Sequence, residues 1–454
     1  MPARAALPYS PDALAAALQQ LGAPRHLWVA LSGGADSAAL LVAAAALAGR
    51  SFDRLDALHV DHGLPGSPTL RAAAAAAAAH CQVPLTVVTV NLVDRAERGL
   101  EAAARQARYA AFAGQMSAQS ALLTAHHQED QAETLLLQIL RGAGVRGMAA
   151  MPSTACLGLG RLLRPVLEVP RASLRALAEG SGVPWCEDPS NEDRAIDRNY
   201  LRHEIWPRLT ARWPAAASTL ARAAHHAGGT AALLDEVLDA RLAGIERDGA
   251  LNLSALAAVE APWRQELIRY WLRRQGYPLP STRRLAQFDA QFLASAADGQ
   301  PLLTFGEMQL RRHDGWLYAH RPLPPLALPA DADLPTNGDV PLPGLGRLTV
   351  VPATDAGLRR LNTPYRVGQR EGGERWQRDV DGPNRPLKDW LREARVPRWQ
   401  RDRAVLLWDQ GVLAAVVLPA VTWVAAAYRT SRGEAGLRVE WQDAPVALRS
   451  SRLR

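Results

Sequence analysis

Lysine is almost missing from this chain: Lys388 is the only one in 454 residues, so nearly every positive charge is carried by arginine. Cysteine is scarce too. Cys81, Cys156 and Cys186 stand far apart with no C-x-x-C spacing, which argues against a disulfide framework, a zinc site or an iron–sulfur cluster and fits reduced thiols. No apolar run approaches the ~18 residues that a membrane span needs. The opening MPARAALPYSPDALAAALQQLG has Pro and Asp where a secretory leader needs an apolar core. No G-x-x-x-x-G-K-[ST] occurs, so there is no Walker-type loop. These absences point to a soluble, cytoplasmic protein with no membrane partner.

What is present describes a folded chain. It is 48% hydrophobic and 21% charged, outside the range of disordered sequences, and long enough for two or three domains. Its net charge of +7 suits a polyanionic partner, although arginine-rich usage alone accounts for part of it. Four β-like runs, at 26–31, 55–60, 84–90 and 120–125, alternate with alanine- and leucine-rich segments. One of these, RAAAAAAAAH (71–80), is low in complexity but made of the best helix former. Strand–helix alternation of this kind predicts an α/β fold with a doubly wound parallel sheet. Such sheets bind ligands beyond the carboxyl ends of their strands. Here those ends carry SGGADS, DHGL and HHQEDQAE.

The first of these, LSGGADS (31–37), has the makings of a pyrophosphate cradle. Gly33 and Gly34 expose N–H groups with no side chain in the way, Ser32 and Ser37 add hydroxyls, and a helix N-terminus follows at Ala35 and Asp36. Asp36 is the informative member. A carboxylate beside phosphates is repulsive unless a cation bridges them, so Mg²⁺ is expected there. A turn with a capping acid is the plainer alternative. In the segment after the fourth strand, His126, Asp130 and Glu133 are spaced i, i+4 and i+7, which puts all three on one face if the helix starts early. Asp61 and His62, at the end of the second strand, line the adenosine side of the pocket or close a turn.

Taken together, SGGADS, HVDHGL (59–64), TAHHQEDQAET (124–134), RGAGVRGMAAM (141–151), RPVLEVPR (164–171) and WCEDPSNEDRAIDRNYLRHEIWPRL (185–209) resemble the tRNA(Ile)-lysidine synthase family of PP-loop ATP pyrophosphatases. REGGERW (370–376) and RPLKDWLREARVPRWQRDR (385–403) look like that family's C-terminal domain. The resemblance implies a PP-loop catalytic domain over 1–215, a helical, tRNA-orienting middle domain over 216–325, a proline-rich linker over 326–345 and a small α+β, tRNA-binding domain over 346–454. It also implies the chemistry. The C2 oxygen of the wobble cytidine in a CAU-anticodon tRNA(Ile) is adenylated by ATP, and free L-lysine then displaces AMP to give lysidine.

On this resemblance Asp130 and Glu133 match the catalytic carboxylates and His126 the nucleotide-site histidine, with Asp36 completing the catalytic set. Glu129 departs from the pattern, standing where the family often has Asp. Ser32, Gly33, Gly34, Ala35, Asp36, Ser37, Asp61 and His62 form the expected ATP site, and Asp36 with Asp130 the Mg²⁺ site. Arg141, Arg146, Arg198 and Arg202 are expected on tRNA, because arginine suits bidentate phosphate contact. Lys388, Arg401 and Arg403 are expected there too, since the lone lysine falls at the family's Leu-Lys pair. Trp390 and Trp399 read as core. A tRNA thiolase of the same superfamily is the nearest alternative, disfavoured because no cysteine pair exists. A non-catalytic RNA-binding relative is the other. Either a monomer or a homodimer fits the sequence.

Overall fold

In the computed structural model the four anticipated strands form as β1 (His26–Ala30), β2 (Arg54–Asp61), β3 (Leu85–Thr89) and β4 (Ser120–Leu123). The structure describes residues 7–64, 66–91, 100–293, 301–328, 332–354, 357–445 and 448. It divides into two units, Met1–Leu234 and Asp235–Arg454.

In the first unit the sheet order is β3-β2-β1-β4-β6-β5. The last two strands, β5 (Thr154–Leu157) and β6 (Gly160–Leu163), form a hairpin in a stretch whose sequence reads as irregular. Each is only four residues long, too short for its periodicity to stand out. β6 runs parallel to β4, and β5 is an antiparallel edge. The helices are α1 (Pro11–Gln20), α2 (Ala35–Ala45), α3 (Ser67–His80), α4 (Leu100–Gln115), α5 (Gln128–Leu140) and α6 (Arg171–Ser181). Alternate residues of β1 serve opposite faces, as the pleat requires. Leu27 and Val29 join one core with Leu40 of α2 and Ala74 of α3, while Trp28 joins another with Phe112 and Met116.

The connections through α2 and α3 step outward from β1 to β2 and β3, whereas α4 carries the chain back to β4 on the other side of β1. Strand order therefore reverses between β1 and β4, and the crevice at their carboxyl ends is where doubly wound sheets bind ligands.

The second unit holds helix Ala261–Arg274, which buries Leu267 and Trp271, and a five-stranded sheet. The segment PLLTFGEMQLRRHDGWLYAH, read as a strand pair, forms three antiparallel strands: Leu302–Phe305, Met308–His313 and Trp316–His320. The extra reversal falls at Asp314-Gly315, both with positive φ, the tight turn that Asp-Gly favours. Two four-stranded sheets and one two-stranded sheet make up the rest of its described strands. Of residues 326–345, expected as a linker, the described ones contribute to a core of this unit instead. Gly338–Leu342 pairs with Gly346–Thr354, and Leu326, Leu334, Val340, Leu342 and Leu345 are buried. Prolines spaced between leucines here make extended, packed chain rather than a spacer. No described helix is long and apolar enough to cross a membrane.

Candidate active site

β1 passes its last ladder bond, Leu31 N–H to the Leu58 carbonyl at 2.9 Å, and turns at once into α2. Gly33 has φ +95°, and a Cβ there would lie 2.4 Å from the Leu70 carbonyl oxygen of α3, so only glycine fits. The loop is braced from within. Ser37 Oγ donates to the Gly34 carbonyl at 2.9 Å and lies 3.0 Å from Ser32 Oγ. Gly34 N–H donates to Ser32 Oγ at 3.3 Å, and Cys186 N–H reaches over to the Gly33 carbonyl at 2.9 Å. Ala35 and Asp36 begin α2, whose positive end faces the crevice.

The chain leaving β4 supplies the opposite wall. Asp130 Oδ2 accepts the His127 N–H at 3.1 Å and so fixes the start of α5 at Gln128. His126 consequently lies ahead of the helix and does not share a helical face with Asp130 and Glu133, contrary to the reading from spacing. Its Nδ1 is 2.9 Å from Thr124 Oγ1, and burial pushes its pKa down to about 3, so the imidazole is neutral.

His127, which spacing gave no reason to single out, is the more central histidine. It is 3% exposed, with Nδ1 3.1 Å from Glu129 Oε2 and Nε2 3.4 Å from Asp130 Oδ2 and 3.8 Å from Asp36 Oδ2. Burial works against its charged form, but Glu129, Asp130 and Asp36 together outweigh burial and hold its pKa above the ordinary value. Asp36 behaves in the opposite way. Burial raises its carboxyl, and His127 and Arg171 pull it only partly back. Asp36 Oδ1 is buried and has no hydrogen-bond partner.

Arg198 and Arg202, expected on tRNA, lie against these carboxylates. Arg198 Nε and Arg202 Nε donate to Glu133 at 2.8 and 2.7 Å, and their Nη2 groups reach Asp130 Oδ1 at 3.2 and 2.8 Å. Burial opposes the charge on Asp130, yet His127 and Arg198 keep its pKa below the usual value. Glu133 is 2% exposed; unlike Asp130, it is not among the residues lining the cavity.

That cavity, about 330 Å³, is lined by the 32–37 loop, His126, His127 and Asp130. His62 lines it as well, with Arg108 Nε 3.3 Å from its Nε2. Asp61 instead accepts the Gly63 N–H at 2.9 Å and closes a turn. Arg105 and Arg108, one turn apart on α4, form a wall that no motif announced. Their i, i+3 spacing was the available signal.

The other expected residues lie away from this centre. Arg141 pairs with Asp197 at 3.4 Å on the surface, and Arg146 lies on the single turn Val145–Met148. In the second unit Lys388 is exposed on helix Leu387–Glu393. Arg401 Nε donates to the Val396 carbonyl. Arg403 donates to the carbonyls of Leu323, Pro324 and Trp399, and Trp399 itself is buried.

Comparison with known proteins gives three domain matches along the chain. Residues 11–209 match the PP-loop domain model, 251–318 the TilS substrate binding domain and 365–441 the TilS substrate C-terminal domain. The tRNA(Ile)-lysidine synthase of Alkalilimnicola ehrlichii is 41% identical over 420 residues, spanning 88% of this chain and 90% of that protein. Those of Coxiella burnetii and Serratia proteamaculans are 35% and 37% identical, spanning 90% and 93% of this chain and 92% and 97% of theirs. With all three domain models in order and relatives this similar over most of its length, the chain belongs to the tRNA(Ile)-lysidine synthase family.

Proposed function

We propose that the chain converts the wobble cytidine of a CAU-anticodon tRNA(Ile) to lysidine. The cytidine C2 oxygen attacks the α-phosphate of ATP, and pyrophosphate leaves. The side-chain amine of free L-lysine then attacks C2 and AMP leaves. Beside family membership, one observation carries this reading. A glycine cradle and two carboxylates from different strand ends meet at one switch-point crevice, where Asp36 and Asp130 both approach His127 Nε2.

In the first half the 32–37 loop binds the departing pyrophosphate through its N–H groups, the Ser32 and Ser37 hydroxyls and the α2 N-terminus. The donor set also suits Mg²⁺. Asp36 Oδ1 is buried without a partner. Among the described residues no group of three or more His, Cys, Asp or Glu is arranged to hold a metal. Mg²⁺ characteristically takes one or two carboxylates and completes its shell with phosphates and water. Asp36 would hold it, and Asp130, whose oxygens already receive Arg198, Arg202 and His127, would join by releasing one of them. When bound, the ion offsets charge on the phosphate oxygens.

The second half needs a neutral amine, and lysine's has a pKa near ~10.4. Of the two expected carboxylates on α5, Asp130 lines the cavity, so it holds the ammonium and takes its proton. Glu133 holds Arg198 and Arg202 in place. Arg141, Arg146, Lys388 and Arg401 are offered to the tRNA phosphates, with residues 216–325 orienting the tRNA and 346–454 binding it.

The test is pyrophosphate and AMP release with each substrate left out in turn. Pyrophosphate release should require tRNA and ATP, AMP release and repeated turnover should require lysine as well, and Asp130→Asn should abolish lysine-dependent AMP formation. Turnover without tRNA or without lysine, or near-normal turnover in that variant, would overturn the assignment.

A further inference from the structure

Behind Asp36 four groups from three segments close a ring. Asp36 Oδ2 lies 3.8 Å from His127 Nε2 and 3.5 Å from Arg171 Nε. On the far side His127 Nδ1 lies 3.1 Å from Glu129 Oε2, and that same oxygen accepts the Arg171 main-chain N–H at 2.9 Å. Each group therefore meets two others, and the ring ties α2, the start of α5 and the first residue of α6 together.

The ring has a direction. His127 is 3% exposed, so its imidazole cannot swing aside, and the contact at Nδ1 sets which edge faces Asp36 and Asp130. Arg171 is held by its main chain to Glu129 while its side chain reaches Asp36. Both contacts fall on Asp36 Oδ2, and Oδ1 is left without a partner. Glu129 bonds to neither Asp36 nor any other described residue of the phosphate loop, yet it braces both groups that do reach Asp36.

We infer that Glu129 is a positioning residue: through His127 and the Arg171 main chain it aims the Asp36 carboxylate so that Oδ1 is presented to the Mg²⁺-nucleotide. The inference rests on the reading that Asp36 serves the nucleotide half of the reaction. One oxygen serves two donors at once, so what matters is an acceptor held at that point.

The experiment measures Mg²⁺·ATP binding by calorimetry on the full chain, without tRNA or lysine, for the parent and for Glu129→Ala, Glu129→Gln and Glu129→Asp. Removing a group that orients a metal-binding residue typically weakens binding about 10- to 100-fold, and that range is expected for Glu129→Ala. The Gln and Asp variants, which keep an acceptor oxygen, should fall between it and the parent. In a His127→Asn background Glu129→Ala should cost less, because one of the two links it acts through is already cut. Equal binding across the four proteins, or losses that simply add in the double variant, would overturn the inference. Where Glu129→Ala does not fold, the Gln and Asp variants and their His127→Asn combinations carry the same comparison. A parent that binds Mg²⁺·ATP but never forms lysidine fails the functional reading alone, whereas an active parent indifferent to residue 129 fails this inference alone.

Discussion

Arg202 Nε donates to Glu133 Oε1 at 2.7 Å, and the carboxylate it meets is 2% exposed. A buried charge of this kind depends on its partners, and removing one partner of such a pair costs about 3–5 kcal/mol. Arg202→Met should therefore lower stability toward the bottom of that range, since Arg198 remains, and should also reduce lysine-dependent turnover. Arg202→Lys should not restore it, because one ammonium cannot span Glu133 and Asp130 as the guanidinium does. Urea unfolding checks the first expectation and AMP release the second; a lysine variant equal to the parent would contradict the geometry.

Gly33→Ala should damage the phosphate loop specifically. The new Cβ would meet the Leu70 carbonyl at 2.4 Å in a backbone with φ +95°, a conformation that costs non-glycine residues about 1–3 kcal/mol. ATP binding should be lost while lysine-independent tRNA affinity stays near the parent value. Calorimetry with ATP and filter binding with tRNA separate the two. Normal ATP affinity would mean that the loop tolerates displacement of α3.

The adjacent histidines should respond to pH with opposite signs. Burial holds His126 at about 3 when folded, against an ordinary value near ~6.5. As pH falls below that value the unfolded chain takes up the proton first, so stability is lost between about 6.5 and 3, by at most ~1.4 kcal/mol per pH unit. His127 is shifted upward by Glu129, Asp130 and Asp36, against burial. Its contribution is fully present below the ordinary value and is lost as pH rises through the elevated one. Urea midpoints should show a shallower acid limb for His126→Asn. For His127→Asn they should show a deficit below neutral pH that shrinks as pH rises. Parallel curves for both variants and the parent would rule this out.

Lys388 and Arg403, paired in the sequence reading as tRNA contacts, should separate on testing. Arg403 holds three main-chain carbonyls, so Arg403→Ala should chiefly lower stability, by about 1–3 kcal/mol for the acceptors left unsatisfied, and the Tm with it. Lys388 is exposed, so Lys388→Ala should weaken tRNA binding, more at low salt than at high, and leave the Tm and ATP binding unchanged. Equal tRNA affinities for the parent and Lys388→Ala would remove that contact.

The parts of this site that lie close together in the chain were legible early. Ser32, Gly33, Gly34 and Asp36 read as a phosphate cradle because a strand, two glycines and a helix N-terminus make one by local geometry alone. The four parallel strands were equally plain, because each is bounded by a turn signal and followed by a helix. The β5–β6 hairpin was not, its strands being too short to show a period. Nor was the packing of 326–345, where proline content says only that the chain is extended and leaves open what it lies against.

Local sequence thus determined which residue types stand at each strand end: hydroxyls and glycines after β1, histidines and acids after β4. Which of them touch was decided in three dimensions. His127 displaced His126 as the central histidine because the Asp130 carboxylate caps α5 at Gln128, a one-residue shift that spacing cannot resolve. Arg198 and Arg202 lie against Glu133 and Asp130 although more than sixty residues separate them. The sheet's reversal at β1 and β4 brings distant segments to one crevice, and a carboxylate buried there in a low dielectric recruits the arginines that a surface carboxylate would not need.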